Sequence, residues 1–335
     1  MSEVVENRGL LRVRRAPAAW HWIAAIAFLP LFAGPAAAAQ TGKMPASKLP
    51  GLTRYANPSA GLNDTTATYP ELILEAKLTQ DGSDIERGLV WRIFGTDPGK
   101  DGQLPLLAVA KGGTSAFHLK PGSYLVHAAF GRAGATKRIT VTDQARRDTV
   151  VLDAGGIKLN AIVTGGGKIP PKRLRFAIYQ AKEDANGDRP LILPNVTPNT
   201  VVRLNAGTYH VVSTYGNANA IVHADIRVQA GKVTDATVEQ HAAQLTIKLV
   251  REPNGEAIAD TAWTILSDQG DVVRQSVGAF ASVVLSEGEY TIVAKNKDHV
   301  YQRDFSVVPG KNEDVEVLAT DTAPPAPAAG DTITE

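Results

Sequence analysis

The chain has 335 residues, with 35 Lys+Arg against 34 Asp+Glu and no cysteine. That charge balance leaves no basic stripe for nucleic acid, which is held through many phosphate contacts. The absence of cysteine excludes disulfides, iron–sulfur clusters, thiolate zinc sites, lipoprotein attachment and cysteine nucleophiles. Length alone, at roughly 150 residues per domain, suggests about two domains.

The first segment reads as an export signal. Arg8, Arg12, Arg14 and Arg15 precede a charge-free stretch whose apolar part runs from Trp22 to Phe32, and Gly34 and Pro35 then break any helix. Ala37 and Ala39 are small residues at the places a signal peptidase reads, which predicts cleavage near Ala39, before Gln40. The apolar part is short beside the ~20 residues that span a bilayer. The segment also holds Glu3 and Glu6, so residues 40–335 carry 31 basic and 32 acidic side chains. An alanine-rich signal on a cysteine-free chain points to a bacterial protein, periplasmic or secreted. Residues 40–70 are rich in Pro, Gly, Ser, Thr and Asn, and read as a linker; residues 320–335, with Pro324, Pro325 and Pro327, read as a disordered tail.

Between these ends one unit occurs three times. Leu119, Gly122, Tyr124 and Val126 recur as Leu204, Gly207, Tyr209 and Val211, and again as Leu285, Gly288, Tyr290 and Ile292. The glycines stand 85 and 81 residues apart, a domain-sized period rather than that of a solenoid. Upstream of each lies a strand with an aromatic residue, at Trp91, Phe176 and Trp263. Each unit opens with an alternating strand, Leu72–Leu78, Ile157–Val163 or Leu245–Leu249, and closes with two more. The closing pairs are Thr136–Val141 with Thr149–Leu152, His223–Val228 with Thr234–Val238, and Gln302–Val307 with Asp314–Leu318.

The apolar period is two: Tyr124, Val126, Ala128 and Phe130 share a face, as do Tyr290, Ile292 and Ala294. Turn dipeptides at Asp81-Gly82, Asp101-Gly102, Asn186-Gly187, Asn254-Gly255 and Gln269-Gly270 separate the strands. About seven strands in about 83 residues predict a β-sandwich, and three in tandem replace the two-domain estimate. The expected boundaries are 1–39 signal peptide, 40–70 linker, 71–153, 154–241 and 242–319 sandwich repeats, and 320–335 tail. In the motif, Leu enters the core, Gly allows the tight connection, and Tyr packs its ring inward while its hydroxyl caps backbone, as a tyrosine corner does.

The run from Leu119 to Val126 resembles the Leu-x-Pro-Gly-x-Tyr-x-Val signature of carboxypeptidase-regulatory-like, transthyretin-like and Cna-B-type sandwiches, and the tandem arrangement resembles exported proteobacterial repeat proteins. The resemblance covers each repeat. It implies an all-β, immunoglobulin-like or transthyretin-like fold, and service as spacers, accessory modules or adhesive stalks. Ala206 and Glu287 stand where the first copy has Pro121. No Lys, Asn and acid can be assigned here to the Cna-B isopeptide triad.

The sequence offers little chemistry. His118, His127, His210, His223, His241 and His299 show no metal-binding spacing, and the alternation turns His127 and His210 away from Tyr124 and Tyr209, toward solvent. Asp184, Asn186 and Asp188 begin like a calcium loop, but Arg189 replaces its glycine and Asn195 its glutamate. Gly165, Gly166, Gly167 and Lys168 lack the rest of a phosphate loop. A Gly-x-Ser-x-Gly elbow and a Ser-x-x-Lys pair are both missing. The expectation is therefore a non-catalytic exported protein, with no catalytic, cofactor-binding or metal-binding residues and no cofactor. It would act as a spacer or protein-interaction module in the cell envelope. Its partner would be another envelope protein or a polysaccharide, without nucleic acid and without a membrane span after cleavage. The alternative is a carbohydrate- or cell-wall-binding module using Tyr301, with Tyr215 and Phe130 better suited to an inward face.

Overall fold

The computed structural model describes residues 69–320, all within one compact unit of the chain, Lys48–Glu335. The expected signal peptide, its cleavage near Ala39, most of the linker and the tail from residue 321 lie outside the described residues.

Three sandwiches follow one another, each built from two sheets. The first contains β1 (Glu71–Lys77), β2 (Leu89–Gly95), β3 (Leu106–Gly112), β4 (Ser115–His118), β5 (Gly122–Phe130), β6 (Ala133–Val141) and β7 (Arg146–Val151). One sheet runs β4-β1-β7 and the other β3-β2-β5-β6. The second contains β8 (Ala154–Val163), the two-residue β9 (Gly167–Lys168), β10 (Leu174–Gln180), β11 (Leu191–Val196), β12 (Val201–Asn205), β13 (Gly207–Tyr215), β14 (Ile221–Val228) and β15 (Val233–Gln240). Its sheets run β12-β8-β15 and β11-β10-β13-β14. The third contains β16 (Ala242–Val250), β17 (Ala262–Ser267), β18 (Val272–Val277), β19 (Phe280–Ser286), β20 (Gly288–Asn296), β21 (His299–Val307) and β22 (Glu313–Leu318), in sheets β19-β16-β22 and β18-β17-β20-β21. The one helical segment among the described residues is a single 3-10 turn, Pro171–Arg173.

Alternation builds the cores. Leu72, Leu74, Trp91, Ile93, Val126 and Ala128 meet inside the first repeat, Ile157, Leu159, Phe176, Ile178 and Val211 inside the second, and Leu245, Ile247, Trp263, Ile265 and Ile292 inside the third. Trp91 and Trp263 bury their rings and donate their indole N–H to the carbonyls of Gly113 at 2.8 Å and Gly278 at 2.9 Å. This satisfies the one polar atom that a buried tryptophan carries. Phe176, at the same place in the second repeat, needs no partner.

The first and last strands of each repeat are parallel neighbours, with Leu72 opposite Arg146, Gly156 opposite Val233 and Leu245 opposite Glu313. A parallel pair cannot be joined by a hairpin. The five or more intervening strands make the crossing, and the chain leaves each repeat at the end opposite to where it entered. An ion pair ties each pair of strands: Glu75 with Arg147, Lys158 with Asp235, and Lys248 with Glu316.

The structure extends the expected strands at several ends. The last strand of the first repeat begins at Arg146 rather than Thr149, and the first strand of the second begins at Ala154 rather than Ile157. Gly155 and Gly156 resemble loop residues, but they pair with Leu204 and Arg203. A side chain on Gly155 would run into the backbone of Gln229.

Candidate functional site

The Leu-x-x-Gly-x-Tyr motif forms the same corner three times. Leu119, Leu204 and Leu285 are buried. Gly207 and Gly288 take φ of 154° and 145°, a region that side chains strongly disfavour. The tyrosine hydroxyl then donates to the carbonyl four residues earlier: Tyr124 to Lys120 at 2.7 Å, Tyr209 to Asn205 at 2.9 Å and Tyr290 to Ser286 at 3.1 Å.

The corners of repeats 2 and 3 lie at the junctions between repeats. At the first junction the tip of the β5–β6 hairpin of repeat 1 meets the corner of repeat 2. Asn205 accepts a hydrogen bond from the N–H of Gly134 at 3.1 Å, and its amide donates to the carbonyls of Gly134 at 3.1 Å and Leu152 at 2.7 Å. The N–H of Arg132 donates to the Arg203 carbonyl at 3.1 Å, and the Arg203 guanidinium lies 5.4 Å from the centre of the Phe130 ring. The N–H of Ala206 donates to the carbonyl of Asp153, in the connection, at 2.7 Å.

The second junction repeats this plan with different side chains. The tip of the β13–β14 hairpin meets the corner of repeat 3. The Asn219 amide donates to the Tyr290 hydroxyl at 2.7 Å, while its carbonyl oxygen accepts from the N–H of Ser286 at 3.2 Å. The N–H of Glu287 donates to the His241 carbonyl at 2.8 Å, as Ala206 does to Asp153. Val284 packs into the core of the second repeat. Each junction thus uses one asparagine amide, carried by repeat 2 in both cases. In the first it sits in the corner, and in the second in the hairpin.

The departure from Pro121 in the later copies now has a cause. Ala206 and Glu287 use backbone N–H groups to hold the connection, and a proline there has none. The substitution is visible in the sequence but this use is not, because the acceptors, Asp153 and His241, lie outside the motif.

The outer sheet faces hold the histidines. His127 and His210 lie on the face opposite the tyrosines, as the alternation indicates, but they are covered rather than free in solvent. His127 Nδ1 is 2.9 Å from Thr136 Oγ1; burial, and then Arg92, push its pKa below the ordinary imidazole value. His210 lies 2.7 Å from Asp225, 2.6 Å from Arg189 and, through Nε2, 3.1 Å from His223. Among the described residues no group of three or more His, Asp or Glu is placed to hold a metal ion. Asp184 spends its side chain on the N–H groups of Asn186 and Asp188, closing a turn. Gly165 and Gly166 form the turn between β8 and β9. The buried Asp148 is paired with both Lys137 and Arg146.

The aromatics considered for sugar stacking are engaged within the fold. Tyr215 is buried, Phe130 lies under Arg203, and Tyr301 packs against the third core. No helix among the described residues is long and apolar enough to cross a membrane.

No curated protein matches the sequence. Among solved structures, the TIE protein of Bacillus anthracis matches over 75% of this chain and 50% of its own, at 16% identity and a TM-score of 0.22; the chain thus spans about half of that protein's length. The minor pilin of Streptococcus agalactiae matches over 51% of this chain and 95% of its own, at 12% identity and a TM-score of 0.31. A streptococcal ancillary pilin matches over 76% and 99%, at 12% identity and a TM-score of 0.28. Residues 244–319, within the third repeat, match the model of a family described as the Rhizobiales growth-associated tandem repeat domain.

Proposed function

We propose that this is a non-catalytic, exported envelope protein in which three sandwiches act as a spacer or interaction module of fixed geometry. The observation that carries this reading is the junction. Two residues, Leu152 and Asp153, separate β7 from β8, and His241 alone separates β15 from β16. Connections this short, pinned at Ala206 and Glu287, leave little freedom between repeats. The match of the third repeat to a tandem-repeat family supports a modular role. The finer kinship with carboxypeptidase-regulatory-like and transthyretin-like sandwiches rests on the run from Leu119 to Val126 and on its tyrosine corner.

Backbone ¹⁵N relaxation tests the geometry. The three repeats share one rotational correlation time if the junctions are rigid; three short, unequal times contradict a fixed spacer. Export is tested by sequencing the N-terminus of protein recovered from the envelope fraction. A start at Gln40 supports it, and a start at Ser2 contradicts it.

A further inference from the structure

The two hairpin tips that dock have glycine at one position, and the third does not. Gly131 takes φ 66° and Gly216 φ 78°, and both face the next repeat at close range. A Cβ on Gly131 would stand 2.9 Å from the Cβ of Arg203, and one on Gly216 2.7 Å from the Cβ of Val284. These distances are shorter than real side chains adopt. The corresponding residue of the third repeat, set by the same 81-residue step that relates Gly207 to Gly288, is Lys297. It keeps the left-handed backbone, with φ 54°, but carries a long side chain.

The surroundings of Lys297 differ in the same sense. The strand pairing sets Val300 opposite Lys295 as Ile221 is set opposite Thr214, so Asp298 stands where the second repeat has Asn219, and the third tip offers a carboxylate there in place of an amide. Asn296 turns inward, donating to the Ala259 carbonyl at 2.7 Å and to Thr261 Oγ1 at 3.2 Å. The leading face of the first repeat is altered too. Tyr69 occupies the place of the fully buried Ala154 and Ala242, and Lys120 lies over its ring at 5.6 Å. Pro121 has no N–H to give a preceding connection.

We propose that the residue at the hairpin tip decides whether a repeat accepts a successor: glycine admits one, and Lys297 closes the third repeat to one. With Tyr69 and Pro121 closing the leading face of the first, the two outer faces do not pair head to tail with a second copy. A heterologous contact of that kind would otherwise propagate into a filament. Repeat arrays commonly need such end features to stay separate. The inference rests on the docked junctions described above.

The test places the terminal residue at the internal site of the full chain. Spin labels go on single cysteines introduced as Arg227→Cys and Gln275→Cys, both exposed, one on each side of the second junction. Gly216→Lys broadens the distance distribution severalfold relative to the unsubstituted tip, and Gly216→Ala broadens it less. Gly270→Lys is the control, because Gly270 also has a positive φ of 84° but nothing lies within 4 Å of its added Cβ. It leaves the distribution narrow while imposing the same backbone strain. Retained near-ultraviolet circular dichroism from Trp263 shows that repeat 3 stays folded. A narrow distribution in Gly216→Lys overturns the proposal, as does broadening by the control of equal size. A distribution already broad without the tip substitution defeats the rigid-spacer reading itself, which separates the two failures. Sedimentation of the wild-type chain completes the test: a monomer at every concentration supports closed ends, and end-to-end association overturns them.

Discussion

Tyr290 and Tyr124 occupy the same motif position but carry different loads. The Tyr124 hydroxyl serves only its own corner, through Lys120, whereas Tyr290 also receives the Asn219 amide from the neighbouring repeat and lies 2.8 Å from Ser286 Oγ. A hydrogen bond contributes about 1 kcal/mol net, and more when its loss leaves a buried partner unsatisfied. Tyr124→Phe is therefore expected to lower stability by about 1 kcal/mol, and Tyr290→Phe by roughly twice that, in urea titrations following the affected repeat. Equal losses would contradict the double role of Tyr290. The corner was legible in the sequence because leucine, glycine and tyrosine recur at fixed spacing. Its service to the junction was not, because Asn219 has no counterpart amide at the same place in the first repeat, where Arg132 stands.

Histidine gives a second prediction at this scale. Burial, with Arg92 beside it, holds His127 below its ordinary pKa of 6.5. As pH falls through 6.5, the unfolded chain takes up this proton before the folded one does. Stability of the first repeat therefore declines from about pH 6.5 downward and levels off once the lower folded pKa is passed. His127→Gln flattens this decline; an identical slope in wild type and variant would contradict the assignment. Alternation placed His127 and His210 on the outer face. It could not show that Thr136, Asp225, Arg189 and His223 cover them, because those partners come from other strands and loops.

At the scale of elements, the strands easiest to read were those with one buried face. β5 shows Tyr124, Val126, Ala128 and Phe130 in strict alternation, and β20 shows Tyr290, Ile292 and Ala294. β3, β11 and β18 were harder to place, because they lie at sheet edges. β3 exposes Val109 and Lys111, β11 contains Pro194, and β18 exposes Val272 and Val277. Edge strands need not alternate strictly, and proline is tolerated there. The parallel pairing of first and last strands was also invisible, since periodicity reports faces and not neighbours.

The connection segments give a sharper test. Ala206 holds the motif position at which the first repeat carries Pro121, a place where the unit accommodates proline. Ala206→Pro should preserve the fold of the second repeat while removing the N–H bond to Asp153, weakening the first junction by about 1 kcal/mol. Hydrogen exchange checks this. Faster exchange of the Gly134 and Arg132 amides with unchanged protection in the core strand β10 is the predicted pattern. Uniform loss of protection would mean that the residue supports the repeat rather than the junction.

At the scale of the whole molecule, the three-fold recurrence overrode the estimate from length, because strands and corners in the same order specify three cores rather than two. Each core closes without a disulfide, as the absence of cysteine requires. The sequence showed the units. It did not show docking, which depends on hairpin tips brought against corners some 70 residues away, at Gly131 with Arg203 and at Gly216 with Val284. The absence of native cysteine also makes the decisive measurement clean, since introduced thiols are the only sites for a label. With Lys111→Cys on the first repeat and Gln275→Cys on the third, pulsed electron–electron resonance reads a distance across both junctions in the full chain. Two docked junctions predict one narrow distance distribution, unchanged by moderate salt. A broad distribution, like that of three beads on flexible linkers, would contradict the account.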